Sequence, residues 1–157
     1  MPSPSATLHS LGILLPPPPR AIGSYLPYRR QGDILYLSGT LPVWDGELRA
    51  TGKLGHSLSL EQGQAAAELC ALNLLALIQE AAHSLDHVHS VLQLTGYVNA
   101  AEDFYDIPAV INPASALFEK IFGEHGKHTR VAVGVASLPK NAPVEISAIV
   151  LLHPPTI

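Results

Sequence analysis

The alternation of apolar and polar residues along the chain changes period several times, and each change marks an element. Ile34-Leu35-Tyr36-Leu37 is an apolar run between Gly32 and Gly39, the pattern of a buried strand. It lies in a stretch, Tyr25 to Ser38, that reads as extended chain. Pro42 and then Asp45-Gly46 mark a turn, Asp-Gly being a strong hairpin signal. A short strand around Glu47–Thr51 is expected to follow. Ser59 is a good helix N-cap, and Gln62 completes a capping-box pattern three residues on. From Ala65 to Ala82 the chain is rich in Ala and Leu, strong helix formers, and its apolar residues cover more than one stripe. A helix buried on most sides is expected there, with Cys70 as a core thiol. Val88 to Asn99 reads as a strand and Asp103 to Asn112 as a connection. Pro113 suits the first turn of a second helix, running to Phe122 and ended by Gly123. Val131, Val133 and Val135 alternate with Ala132, Gly134 and Ala136. This predicts a strand with its valine face buried and small residues on the face where something approaches closely. Pro139 to Pro143 is a turn, and Val144 to Leu152 is the last strand.

The order β-β-α-β-α-β-β predicts an α+β fold, one sheet with two helices on one face. The strands are apolar on both sides, so the second sheet face should pack against a partner subunit. Residues 1–20 form a separate Ser/Pro-rich arm ending in Pro16-Pro17-Pro18-Pro19, expected to lie extended over the surface with a frayed tip. Residues 21–157 form a single domain, as the length of 157 residues suggests.

Composition sharpens the oligomer argument. Charged residues make up 14% of the chain, against about 25% in a typical soluble domain. Burying part of the surface between copies of the chain accounts for the deficit. The net charge of −4, with Arg29–Arg30 as the only adjacent basic pair, weighs against a nucleic-acid partner. No run of about 18 apolar residues and no basic-then-apolar leader are present, so neither a membrane span nor a signal peptide is expected. A single cysteine allows no internal disulfide and fits a reducing cytoplasm.

Candidate chemistry concentrates between Thr129 and Ala148. Arg130 opens an apolar strand in a chain short of charge. Its guanidinium must either pair with a carboxylate of the fold, Glu145 being the one on the following strand, or wait for an anionic ligand that its planar fork can hold. His87 and His89 would share one strand face, but no third ligand is evident, so no metal is expected. His125 and His128 lie just before Arg130, either in a solvated loop or at the mouth of a cleft. Lys53 and Lys140 read as solvated, and Tyr36 and Trp44 as packing residues.

The stretch Thr129-Arg130-Val131-Ala132-Val133-Gly134-Val135-Ala136-Ser137-Leu138-Pro139-Lys140-Asn141-Ala142-Pro143-Val144-Glu145-Ile146 resembles the carboxy-terminal signature of the Rid, or YjgF-like, reactive-intermediate deaminases. Ala21-Ile22-Gly23-Ser24-Tyr25 and Leu37-Ser38-Gly39-Thr40-Leu41-Pro42 resemble two further segments of that family in the same order. The resemblance runs from about Ala21 to Leu152. It implies a chorismate-mutase-like sheet backed by two helices, a barrel-like homotrimer with clefts between subunits, and no cofactor. It also implies hydrolysis of 2-imino and enamine acids to 2-oxo acids and ammonia. In that reading Arg130 holds the substrate carboxylate and Glu145 helps position the attacking water. Tyr25, Ser38 and Gly39 line the cleft, with Asn112 or Ser115 opposite. Ala132 stands where the archetype has cysteine and Thr40 where it has glutamine, which marks an outlying branch. A non-catalytic binder of small carboxylates is the alternative, and an RNA-directed role a further one.

Overall fold

A computed structural model of the protein describes residues 1–156. Its framework is the helix that the capping box announces. Ser59 Oγ accepts the Gln62 N–H at 3.2 Å, and Gln62 Oε1 accepts the Ser59 N–H at 2.9 Å. These two bonds satisfy donors that a helix start otherwise leaves bare. The helix, α2, runs Leu60–Ala82 and buries Ala67, Cys70, Ala71, Leu74, Leu75, Leu77 and Ile78. It is long and apolar enough to cross a bilayer, but most of it is buried in the fold as a core helix.

The sheet has strands β1 (Tyr28–Gln31), β2 (Ile34–Thr40), β5 (Val88–Asn99), β6 (Thr129–Val135) and β7 (Val144–Leu152). Their spatial order is β1-β2-β7-β5-β6. All neighbours are antiparallel except β5 and β6, which are parallel. The expected extended stretch from Tyr25 is thus a hairpin, turning at Gly32-Asp33, where Gly32 takes φ 61°. A second small hairpin pairs β3 (Val43–Trp44) with β4 (Glu47–Leu48) around Asp45-Gly46, both residues at positive φ. The sequence had suggested a longer strand to Thr51; only Glu47 and Leu48 find a partner.

β7 shows how the sheet divides. Val144, Ile146, Ala148, Val150 and Leu152 are buried, and the residues between them are half-exposed. The buried set meets α2 and the second long helix, α3 (Ile107–Phe122), which lie on that one face. Gly96 permits α3 to come close: a Cβ there would stand 2.7 Å from Ile111 Cδ1. The opposite face carries no layer of this chain, and Tyr36, Val131 and Val133 on it are about half exposed.

Four expectations need correction. The second helix begins at Ile107, with Pro108 in its first turn, so Pro113 and Asn112 lie inside it and not before it. Pro113 lacks the N–H that would bond Ala109 C=O. Gln64 Nε2 of α2 supplies that bond at 2.9 Å, which is why the helix tolerates the proline. The faces of β6 are reversed: Val131 and Val133 point away from the helices, while Ala132 and Gly134 face them. The small residues make room for α3, since a Cβ at Gly134 would lie 3.3 Å from Ile107 Cδ1. The N-terminal arm is not simply extended. Pro4–Ser10 form a helix, α1, capped by Ser3, and Ser5 N–H donates to Asp86 Oδ1 at 2.8 Å. Finally, His87 closes a 3-10 turn, its Nδ1 2.6 Å from Ala82 C=O, so it does not share a strand with His89. His89 instead packs edge-on against His125 and His153.

Candidate functional site

The residues singled out in the sequence fall into two cavities with no residue in common. The first is an open cavity of about 330 Å³ lined by Asn112, Ser115, Ala116, Glu119, His128 and Arg130. Arg130 enters it from the edge strand β6. Its Nη1 donates to Asn112 Oδ1 at 2.9 Å and to Ser115 Oγ at 3.2 Å. Asn112 and Ser115 sit three apart on α3, so one helix face presents both. The early start of α3 thus resolves the choice between them: both meet Arg130. His128 stands behind Ser115, its Nε2 2.9 Å from Ser115 Oγ and its Nδ1 2.6 Å from Gly126 C=O. Ala132, two residues beyond Arg130, faces the same side and packs against the core.

The second cavity, about 360 Å³, is lined by Tyr25, Ser38, Gly39 and Glu145, with Thr40, Leu41, Leu77 and Lys140 around them. Pro17, Pro18, Pro19 and Arg20 also wall it, which the sequence reading missed. The register of β2 against β7 slips between Leu37 and Thr40, so Ser38 and Gly39 lie at a bulge, a device that re-aims side chains. Ser38 Oγ donates to Leu26 C=O at 2.6 Å, fixing the segment that carries Tyr25. Gly39 is required by Glu145, since a Cβ at position 39 would stand 2.7 Å from Glu145 Oε1. Burial pushes the Glu145 carboxyl above its ordinary pKa by removing water from the charged form. Thr40 does not reach this chemistry: its buried hydroxyl lies 3.0 Å from Cys70 C=O and 3.2 Å from Ile146 C=O, tying α2 to β7. Cys70 is fully buried and its thiol is pushed well above the usual range, leaving it inert.

Arg130 and Glu145 do not pair. β5 separates their strands, because β6 bonds only β5. Arg130 lies opposite buried Leu94, on the helix face, and Glu145 opposite Tyr97, on the other. The ion pairs among the described residues are Arg30–Asp33 at 3.4 Å and Lys127–Glu124 at 2.8 Å. Arg130 is therefore a half-buried cation without a carboxylate partner of its own among the described residues, held by two neutral oxygens.

Lys53 is not simply solvated. Its Nζ donates to Asn99 Oδ1 at 2.8 Å and to Ala136 C=O. Asn99, buried at the end of β5, in turn donates to Gly52 C=O, Asn141 Oδ1 and Ala142 C=O. This knot fixes the loop after β6, where Lys140 and Asn141 both take positive φ.

The family model described as YjgF/chorismate mutase-like, putative endoribonuclease matches residues 5–151. The chain belongs to the YjgF family. Protein TCP17 of Trypanosoma cruzi is 43% identical over 150 residues, 95% of this chain and 94% of that protein. The crystal structure of a putative endoribonuclease from Shewanella oneidensis superposes with a TM-score of 0.92 at 30% identity, over 96% of this chain and 100% of that one. TdcF of Escherichia coli, named as a putative reactive intermediate deaminase, is 32% identical over 83% of this chain and 88% of its own length. Its crystal structure with bound serine has a TM-score of 0.60 at 31% identity, covering 85% of this chain and 91% of that one. The YjgF-like sheet with two helices on one face is thus the fold that the resemblance implied.

Proposed function

We propose that the protein is a Rid-type deaminase, hydrolysing reactive 2-imino and enamine acids to 2-oxo acids and ammonia in clefts between the subunits of a homotrimer. One observation carries this reading: the Arg130 guanidinium faces an open cavity with its charge unpaired by any carboxylate among the described residues. A cation held this way is arranged for an anionic ligand, and a planar carboxylate matches its fork. The bound serine of TdcF supports the class of ligand, a small amino-acid-like carboxylate. Asn112 and Ser115 brace the guanidinium, and Ala132 leaves the adjacent wall small.

The second cavity supplies what the first lacks, a half-buried carboxyl of raised pKa suited to proton exchange with water. Tyr25, Ser38 and Gly39 shape the space around Glu145. The two halves lie on opposite faces of one sheet, so a single chain cannot use both on one small molecule. A neighbouring subunit brings Glu145 to Arg130, and the exposed sheet face with Val131, Val133 and Tyr36 is the surface that joins them. An imine carbon is already electrophilic, so positioned water and a proton acceptor suffice without a cofactor.

Release of 2-oxo acid and ammonia from an enzymatically generated 2-imino acid tests the reading. The wild type accelerates it, and Arg130→Ala reduces kcat/KM at least about 100-fold, the equivalent of two charge-assisted hydrogen bonds. Thermal stabilisation by small carboxylates that depends on Arg130, with no turnover of any imino acid, would instead establish a non-catalytic binder. The endoribonuclease description borne by the family fits the net charge of −4 poorly.

A further inference from the structure

Ser115 and His128 meet in a way that the carboxylate clamp by itself does not require. His128 Nδ1 lies 2.6 Å from Gly126 C=O, which can only accept, so Nδ1 carries the proton of the neutral ring. Nε2 then holds a lone pair, and Ser115 Oγ, 2.9 Å away, donates its hydroxyl proton to it. The same Oγ accepts from Arg130 Nη1 at 3.2 Å. The chain therefore has one direction, Arg130 to Ser115 to His128. A serine hydroxyl polarised by a base, the base oriented by a third group and a cation on the oxygen are the parts of a proton-transfer unit. Ser115 borders the open cavity and His128 lies behind it, its ring edge-on to Phe118. The charged groups beside His128 are Arg130 on β6 and Glu119 on α3. On its own segment Lys127 and Glu124 pair with each other.

We propose that Ser115, relaying to His128, is a catalytic proton acceptor and donor on the Arg130 side of the cleft, in addition to Glu145. The proposal rests on the deaminase reading. With the substrate carboxylate on Arg130, the imine carbon and nitrogen lie beside Ser115 Oγ. Water oxygen bonds to the carbon of the protonated imine, and the C=N π pair moves to nitrogen. The water proton passes to Ser115 Oγ as the Ser115 hydroxyl proton passes to His128 Nε2. The imidazolium returns a proton by the same route to the amino nitrogen of the carbinolamine. The C–N bond then breaks, its electron pair leaving with ammonia, while the carbinol oxygen forms the C=O bond and gives its proton to the Glu145 carboxylate.

Kinetics of imino-acid hydrolysis over pH by the full-length chain decide it. His128→Ala and Ser115→Ala each lower kcat by about 100-fold with KM changed less than about threefold, as loss of general acid–base catalysis requires. The acidic limb of the kcat profile disappears in His128→Ala, and added imidazole restores turnover. His128→Asn, which can keep a donor on Gly126 C=O, guards against a folding defect and is as slow as His128→Ala. Retained kcat in these variants, a loss of kcat without imidazole rescue, or full activity in His128→Asn overturns the relay while leaving the deaminase reading intact. Absence of imino-acid hydrolysis by the wild type overturns both.

Discussion

At the scale of single residues, the site is governed by what each charged group is denied. Arg130 is denied a carboxylate, and two neutral oxygens hold it without cancelling its charge. Glu145 is denied water, and the missing side chain at Gly39 leaves just enough room for it. The second effect has a consequence for stability. The Glu145 pKa is raised in the folded chain by desolvation, so the folded state holds that proton more tightly than the unfolded one. The contribution is fully present below the usual carboxylate range and is lost as pH climbs through the raised value. Glu145→Gln is therefore expected to raise Tm at neutral pH, by roughly 2–4 °C for each kcal/mol relieved, and to change it least in acid. Thermal melts of both chains across pH check this. A larger gain in acid than at neutrality would show that burial does not control the group.

At the scale of elements, α3 decides the arrangement of the Arg130 cavity. Its Pro113 looked like a helix start, because proline is favoured in first turns. The helix instead starts six residues earlier and carries the proline inside, which turns Asn112 and Ser115 toward β6. Sequence could not show this, since the compensating donor, Gln64, lies on another helix. Gln64→Leu is expected to cost about 1 kcal/mol in the wild type, the worth of a hydrogen bond left unmade. The cost should shrink once Pro113→Ala restores the backbone donor, a coupling that urea unfolding of the four chains of a double-mutant cycle measures. Equal costs in both backgrounds would mean that Gln64 acts elsewhere.

At the scale of the whole molecule, the sheet is covered on one face and bare on the other. Val131 and Val133 expose 46% and 40% of their surface on the bare face, beside half-exposed Tyr36. An apolar patch of this kind in a chain with only 14% charged residues calls for a partner. Val133→Lys is expected to shift the chain from trimer toward monomer in light scattering, and to remove deaminase activity together with the assembly. A trimer that persists with full activity would place the contact elsewhere. The same face explains why the two cavities stand apart in one chain: Glu145 belongs to the bare side and Arg130 to the helix side.

Much of this was legible before folding was considered. The Ser59–Gln62 cap, the Asp45-Gly46 turn, the valine alternation of β6 and the pattern of β7 are local, written in residues a few positions apart. The three family-like segments also named Arg130, Glu145, Tyr25 and Ser38 without a coordinate. What the sequence by itself determined, then, was the kind of fold and the kinds of chemical group. Tertiary structure decided how they combine. β5 inserts between β6 and β7, so residues 15 apart in sequence end on opposite faces of the sheet. α3 reaches β6 because Gly96 and Gly134 leave space, so Ser115 and His128 meet beside Arg130. The proline arm folds back to wall the Glu145 cavity. Each of these depends on long-range pairing and on the volume left between layers, and neither follows from periodicity along the chain.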